Sequence, residues 1–137
     1  MVLRVVREPG AGSREPAMII AVIDDLFFSV KIRTAAKTLG TEVYFERTPL
    51  QVLESIRAKA PRLVIFDLDS GKMRPMDVIA AMKADPALRD VPTLGFVSHV
   101  NADVIASARA AGIDQVLARS AFADRLGAIL TSGAKQA

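Results

Sequence analysis

Four short stretches carry residues able to do chemistry: Asp24-Asp25, Asp67-Leu-Asp69, Ser98-His99 and Arg119-Ser120. Each follows an apolar run of strand length. Carboxylates crowded at one place repel one another and favour a bound cation at neutral pH. Hard oxygen ligands that leave room for water suit Mg2+. A divalent ion beside a carboxylate also suits phosphoryl transfer onto it, the ion neutralising phosphoryl oxygens while Asp acts as the nucleophile. A hydroxyl and a cation on neighbouring strands, such as Ser98 and Arg119, would hold the remaining oxygens.

Each of these residues also has a purely structural reading. Asp24, Asp25 and Asp69 suit loops and helix caps, but their clustering with Asp67 favours the metal. Ser98 can satisfy a loop N–H as well as touch phosphate, and Ser120 suits the cap of a following helix. Arg119 can pair with a carboxylate, a contact that both readings share. His99, the one histidine of the chain, can complete a metal site, act as a base, or sit solvated in a loop.

Positioning these groups requires buried strands. Leu63–Phe66, between Pro61 and Asp67, is too short for a helix and reads as a strand buried on both faces, as in a parallel sheet. Met18–Ile23 reads the same way and ends on Asp24-Asp25. The helix after it places Phe28, Ile32, Ala35, Ala36 and Leu39 at helical spacing and stops at Gly40. Glu42–Phe45 is a shorter, edge-like strand. Thr48-Pro49 opens a helix whose buried face is Val52, Leu53, Ile56 and Ala60.

The loop Ser70–Pro75 leads to a helix burying Val78, Ile79 and Met82, which ends at Asp85-Pro86. Pro92–Val97 is a fourth strand. Asn101 caps a helix with Val104, Ile105, Ala108 and Ala111 inward and Gly112 as its terminator. Asp114–Ala118 is a fifth strand, and Ser120 opens a last helix carrying Phe122, Leu126, Ile129 and Leu130. Strict strand–helix alternation predicts an α/β fold, a five-stranded parallel sheet with helices on both faces, in the flavodoxin-like order 2-1-3-4-5. In that order Asp24, Asp25 and Asp67 converge where the strand order reverses, with Ser98-His99 and Arg119-Ser120 beside them.

A chain of 137 residues, 51% of them hydrophobic, has room for one domain with a real core. The expected boundaries are a tail over 1–17, a domain over 18–132 and a short tail over 133–137; either Met1 or Met18 can be the natural start. With no cysteine, disulfides and thiolate metal sites are excluded. No apolar run approaches the roughly 20 residues of a membrane span, and the N-terminus lacks a signal-peptide core, so a cytoplasmic protein is expected. The net charge of +3 and pI of 9.6 come from Lys and Arg scattered over nearly every segment, which argues against nucleic acid as a partner.

From Met18 to Leu130 the chain resembles the receiver domain of bacterial response regulators. The resemblance rests on Asp24-Asp25, Asp67, Met76-Asp77, Ala84-Asp-Pro-Ala-Leu-Arg-Asp-Val-Pro92 and Ala111-Gly-Ile-Asp114. It implies that Asp67 is the phosphoacceptor. It also implies that Asp24, Asp25, Asp67 and the backbone of Asp69 hold Mg2+; Ser98 and Arg119, at the mouths of the fourth and fifth strands, are the candidates to contact phosphate. A sensor histidine kinase or phosphotransfer protein would be the donor. With no room for an output domain, a stand-alone signalling module working through a partner protein is expected, not an enzyme.

The departures from the family pattern are local. Val97 stands where receivers carry Thr or Ser, and Ser98 is one residue late. Arg119-Ser120 replaces Lys-Pro, Val116 replaces the switching aromatic, and the loop after Asp67 lacks the usual Pro-Gly-x-Asp-Gly order. The alternative is a pseudo-receiver that binds a partner without phosphorylation. A flavodoxin-type cofactor site is disfavoured because Asp24-Asp25 would repel its phosphate. A dehalogenase-like hydrolase built on Asp67 and Asp69 lacks a cap domain.

Overall fold

The computed structural model describes residues 18–98 and 101–132; both expected tails and His99 lie outside the described residues. The elements are β1 (Ile19–Val22), α1 (Leu26–Leu39), β2 (Val43–Glu46), a single-turn 3-10 helix (Pro49–Gln51), α2 (Val52–Lys59) and β3 (Leu63–Asp67). They continue with α3 (Pro75–Ala84), β4 (Thr93–Val97), α4 (Ala102–Ala111), β5 (Gln115–Ala118), α5 (Arg119–Asp124) and α6 (Leu126–Ser132). All strand pairs are parallel and the order is β2-β1-β3-β4-β5, as the alternation predicts.

Alternation along each strand divides the core between the two faces of the sheet. Ile20, Val22, Val64, Phe66 and Val97 pack with α2, α3 and α4 on one side. Ile19, Ala21, Ile65 and Phe96 pack with α1, α5 and α6 on the other. There Phe28, Phe96 and Phe122 form a mutually contacting triad, with ring centroids 4.9 Å (Phe28–Phe96), 4.8 Å (Phe96–Phe122) and 5.7 Å (Phe28–Phe122) apart. Such aromatic pairs add about 1 kcal/mol each beyond their buried area.

Local chemistry explains the helix ends. Asp25 accepts the Phe28 N–H at 3.1 Å and caps α1, and Asn101 accepts from Asp103 and Val104 to cap α4. Gly40 and Gly112 end these helices at φ +71° and +106°, where a side chain is strained.

Several expectations need correction. Leu39 is exposed rather than buried, at the last position of α1 before Gly40 ends the helix. Ala60 is also exposed, and it ends α2 in the left-handed region at φ 45°. Ile105 is only partly buried, and Ala108 is the one fully buried residue of α4. Thr48 does not cap with its side chain; instead its N–H donates to the buried Glu46 carboxylate, which also accepts the Ser55 hydroxyl at 2.6 Å. Ser120 caps nothing either, because the helix already begins at Arg119 and leaves Ser120 exposed in its first turn.

Candidate functional site

The register brings the chemistry to one edge. Val22 lies opposite Phe66 and Phe96 opposite Asp67, so the segments after β1, β3 and β4 rise side by side. Val97 lies opposite Ala118, which sets Ser98 and Arg119 beside each other on the next two strands.

Asp67 ends the central strand with only 6% of its surface exposed. Burial pushes its carboxyl above the ordinary aspartate value; Asp69 and Asp25 push the same way, while the Asp69 N–H and the Arg119 charge pull it back. That N–H donates to Asp67 Oδ1 at 3.0 Å. The Asp69 carboxylate turns away and accepts the N–H of Ser98 at 2.6 Å.

The other two carboxylates meet cations from the chain itself. Asp25 uses Oδ1 as the α1 cap and Oδ2 to pair with Arg119 Nη2 at 3.1 Å. Asp24 pairs with Lys72 Nζ at 3.4 Å. Arg119 lies over the rings of Phe28 and Phe96, 5.0 and 5.7 Å from their centroids, a seat that favours a weakly hydrated guanidinium. Its Nε is buried and makes no hydrogen bond.

Asp24, Asp25, Asp67, Asp69, Ser98 and Arg119 therefore share one edge, and Ser120 begins to turn away along the exposed side of α5. Three contributors escaped the sequence reading. Lys72 sits in a loop with no periodicity to mark it, and Phe28 and Phe96 read only as core. Val97 is buried on the α3–α4 side, and Val116 faces Gly95 across the β4–β5 ladder.

No protein-family model matches the chain. It is 28% identical over 105 residues to the regulatory protein LuxO of Vibrio vulnificus, and equally so to the luminescence regulatory protein LuxO of Vibrio campbellii. Those stretches cover 77% of this chain but 23% of each relative, so the chain spans about a quarter of the length of the curated relatives it matches. Among solved structures, the phosphorylated cyanobacterial phytochrome response regulator RcpA superposes with a TM-score of 0.71 at 25% identity, covering 85% of this chain and 89% of that one. A response regulator from Hahella chejuensis gives a TM-score of 0.76 at 19% identity over 85% of this chain and 94% of that one. The Mn2+-bound form of response regulator Rcp1 gives 0.71 at 19% identity, with the same coverage.

The fold is that of a response-regulator receiver domain. Fold and likeness together support a role in phosphorelay signalling in general terms. Among the described residues no helix is long and apolar enough to cross a membrane.

A receiver's divalent ion can be tested against the residues present. The donors are hard carboxylate oxygens at the mouths of two adjacent strands, and Asp67 is a buried carboxyl short of compensating charge, which is the chemistry such an ion requires. Among the described residues, however, no three acidic or histidine side chains are already grouped around a common point. Asp25 is turned toward its cap and Arg119, and Asp24 toward Lys72. The donor set fits a divalent ion in kind, with Lys72 and Arg119 holding two of its members.

Proposed function

We propose that this domain accepts a phosphoryl group on Asp67 and passes the signal to a protein partner. The observation that carries the reading is a buried, under-compensated carboxylate at the end of the central strand of a receiver fold, with an arginine and further carboxylates around it. The donor would be a phosphorylated imidazole on a histidine kinase or phosphotransfer protein. The P–N bond breaks, its electron pair leaving with the imidazole, which takes up a proton; an O–P bond forms to an Asp67 oxygen.

Asp24, Asp25, Asp67 and the Asp69 backbone would hold Mg2+, which when bound neutralises phosphoryl oxygens. Arg119 would offer charge-assisted N–H donors to the same oxygens without leaving its aromatic seat. Ser98 is at hand on the next strand. The domain would serve as a regulated signalling element and turn over no substrate of its own.

A pseudo-receiver is the second reading, favoured by the buried Val97 where a hydroxyl is expected and by the cations already seated on Asp24 and Asp25. Intact-mass measurement after treatment with a small phosphodonor and Mg2+ separates the two. One added phosphoryl group, absent in Asp67→Asn, is expected; no adduct on the wild type would leave only the pseudo-receiver. Metal binding is read independently by Mn2+ paramagnetic broadening, expected to vanish in Asp25→Asn, a change that preserves the α1 cap.

A further inference from the structure

Asp69 joins two loops. Its N–H is fixed on the Asp67 carboxylate at 3.0 Å, and its own carboxylate holds the backbone of Ser98 at 2.6 Å, short even for a charge-assisted bond. Hydrogen bonds thus link Asp67 through Asp69 to the Ser98 backbone. The path does not use Val97 or Val116, the positions where this chain lacks the hydroxyl and the ring of its family.

We propose that the Asp69 carboxylate is the coupling residue of this domain: negative charge added at Asp67 drives it off the Ser98 N–H, so that the end of β4 reports the state of Asp67. The inference rests on the reading of Asp67 as phosphoacceptor. A phosphoryl group brings roughly −1.5 to −2 charges to a point beside Asp69. The Asp69 charge already pushes the Asp67 carboxyl upward across that gap. The phosphoryl oxygens are also acceptors that compete for the same N–H. Added charge therefore interacts differently with the bonded and released arrangements, which is the condition for shifting an equilibrium between them. Val97 and Val116 provide no such difference. The asymmetry of Asp69, its N–H toward the acceptor and its carboxylate toward the neighbouring loop, is what makes the side chain more than a loop residue.

The test is amide NMR of the full chain with Mg2+ and beryllofluoride, a phosphoryl mimic, with bound 19F signal confirming saturation in every variant. In the wild type the mimic is expected to shift the Ser98 amide and to speed its exchange by about tenfold, the scale of a lost charge-assisted bond. Asp69→Asn keeps an oxygen acceptor but no charge, and is expected to lose that response while still binding the mimic. Asp69→Ala without the mimic should place the Ser98 amide near its position in the mimic-bound wild type. Equal responses in the wild type and Asp69→Asn, or an unmoved Ser98 amide in a saturated wild type, would overturn the coupling role and leave the Asp67 reading standing. Absence of bound 19F signal in the wild type would overturn both.

Discussion

Asp114 and Asp67 are the same residue type at opposite ends of the sheet, and the protein treats them oppositely. At the end where β4 begins, the Asp114 carboxylate accepts the Thr93 N–H at 2.8 Å, the Thr93 hydroxyl at 3.0 Å and Lys83 Nζ at 3.3 Å. Thr93 is fully buried and returns the favour, its hydroxyl oxygen accepting the Asp114 N–H at 3.0 Å. At the other end Asp67 is buried, yet among the described residues its carboxylate accepts a single backbone N–H, that of Asp69, and burial pushes its carboxyl upward. One aspartate closes a satisfied network that ties β4 to β5. The other keeps unfilled acceptor capacity at the mouth of β3. Satisfied contacts and open acceptor capacity are thereby separated along the strand axis, with β4 touching both ends.

That contrast predicts opposite signs for mutations of like kind. Asp114→Ala leaves the buried Thr93 N–H and hydroxyl without their acceptor, and is expected to cost about 3 kcal/mol in denaturant unfolding. A neutral result would mean that the network is not structural. Gly95→Ala probes β4 between the two ends. The added Cβ would meet Leu68 Cδ1 at 2.6 Å and Ile113 Cδ1 at 2.8 Å, at a cost of about 2 kcal/mol from overpacking. Because Leu68 follows Asp67 and Ile113 precedes Asp114, amide shifts are expected around both aspartates; a change confined to one of them would show that β4 does not join the two ends.

Asp67→Asn is expected to stabilise the metal-free protein by about 1 kcal/mol, read as a higher thermal midpoint at pH 7. The pH dependence follows from the sign of the shift. A carboxyl raised in the fold binds more protons folded than unfolded, so its contribution is fully present below the ordinary value of 3.8 and is lost as pH rises through the higher folded value. The advantage of Asp67→Asn should accordingly grow across that window and level off above it. An advantage independent of pH would locate its cause elsewhere. The smallest effect is remote from both ends: Ala60 sits at φ 45°, and Ala60→Gly is expected to gain about 0.5 kcal/mol by relieving a left-handed alanine. A loss there would show that the alanine methyl contributes packing.

The strand order, the two core faces and the edge on which the carboxylates gather were legible in the sequence because each strand is a short apolar run that ends abruptly on polar residues. Asp25 as a cap, Gly40 and Gly112 were legible through local chemistry. The ion pairs were not. Lys72 reaches Asp24 across 48 positions of sequence and Arg119 reaches Asp25 across 94, and no periodicity encodes which of many cations closes on which carboxylate. The same holds for Thr48, whose expected capping role is displaced by Glu46, a charged residue that no pattern marks as buried. Gly95 did carry a readable signal, since a glycine inside a buried strand often marks close approach by a neighbour.

The ring of Tyr44 lies on β2 beneath Lys59, whose Nζ is 4.4 Å from the ring centroid. It is the single tyrosine of a chain without tryptophan, and β1 stands between its strand and β3. Tyrosine emission from this protein therefore originates at the outer edge of the sheet, with β1 between it and the strand of Asp67. Phe27, 85% exposed and two residues past Asp25, is the place where a tryptophan would turn binding at the carboxylates into light.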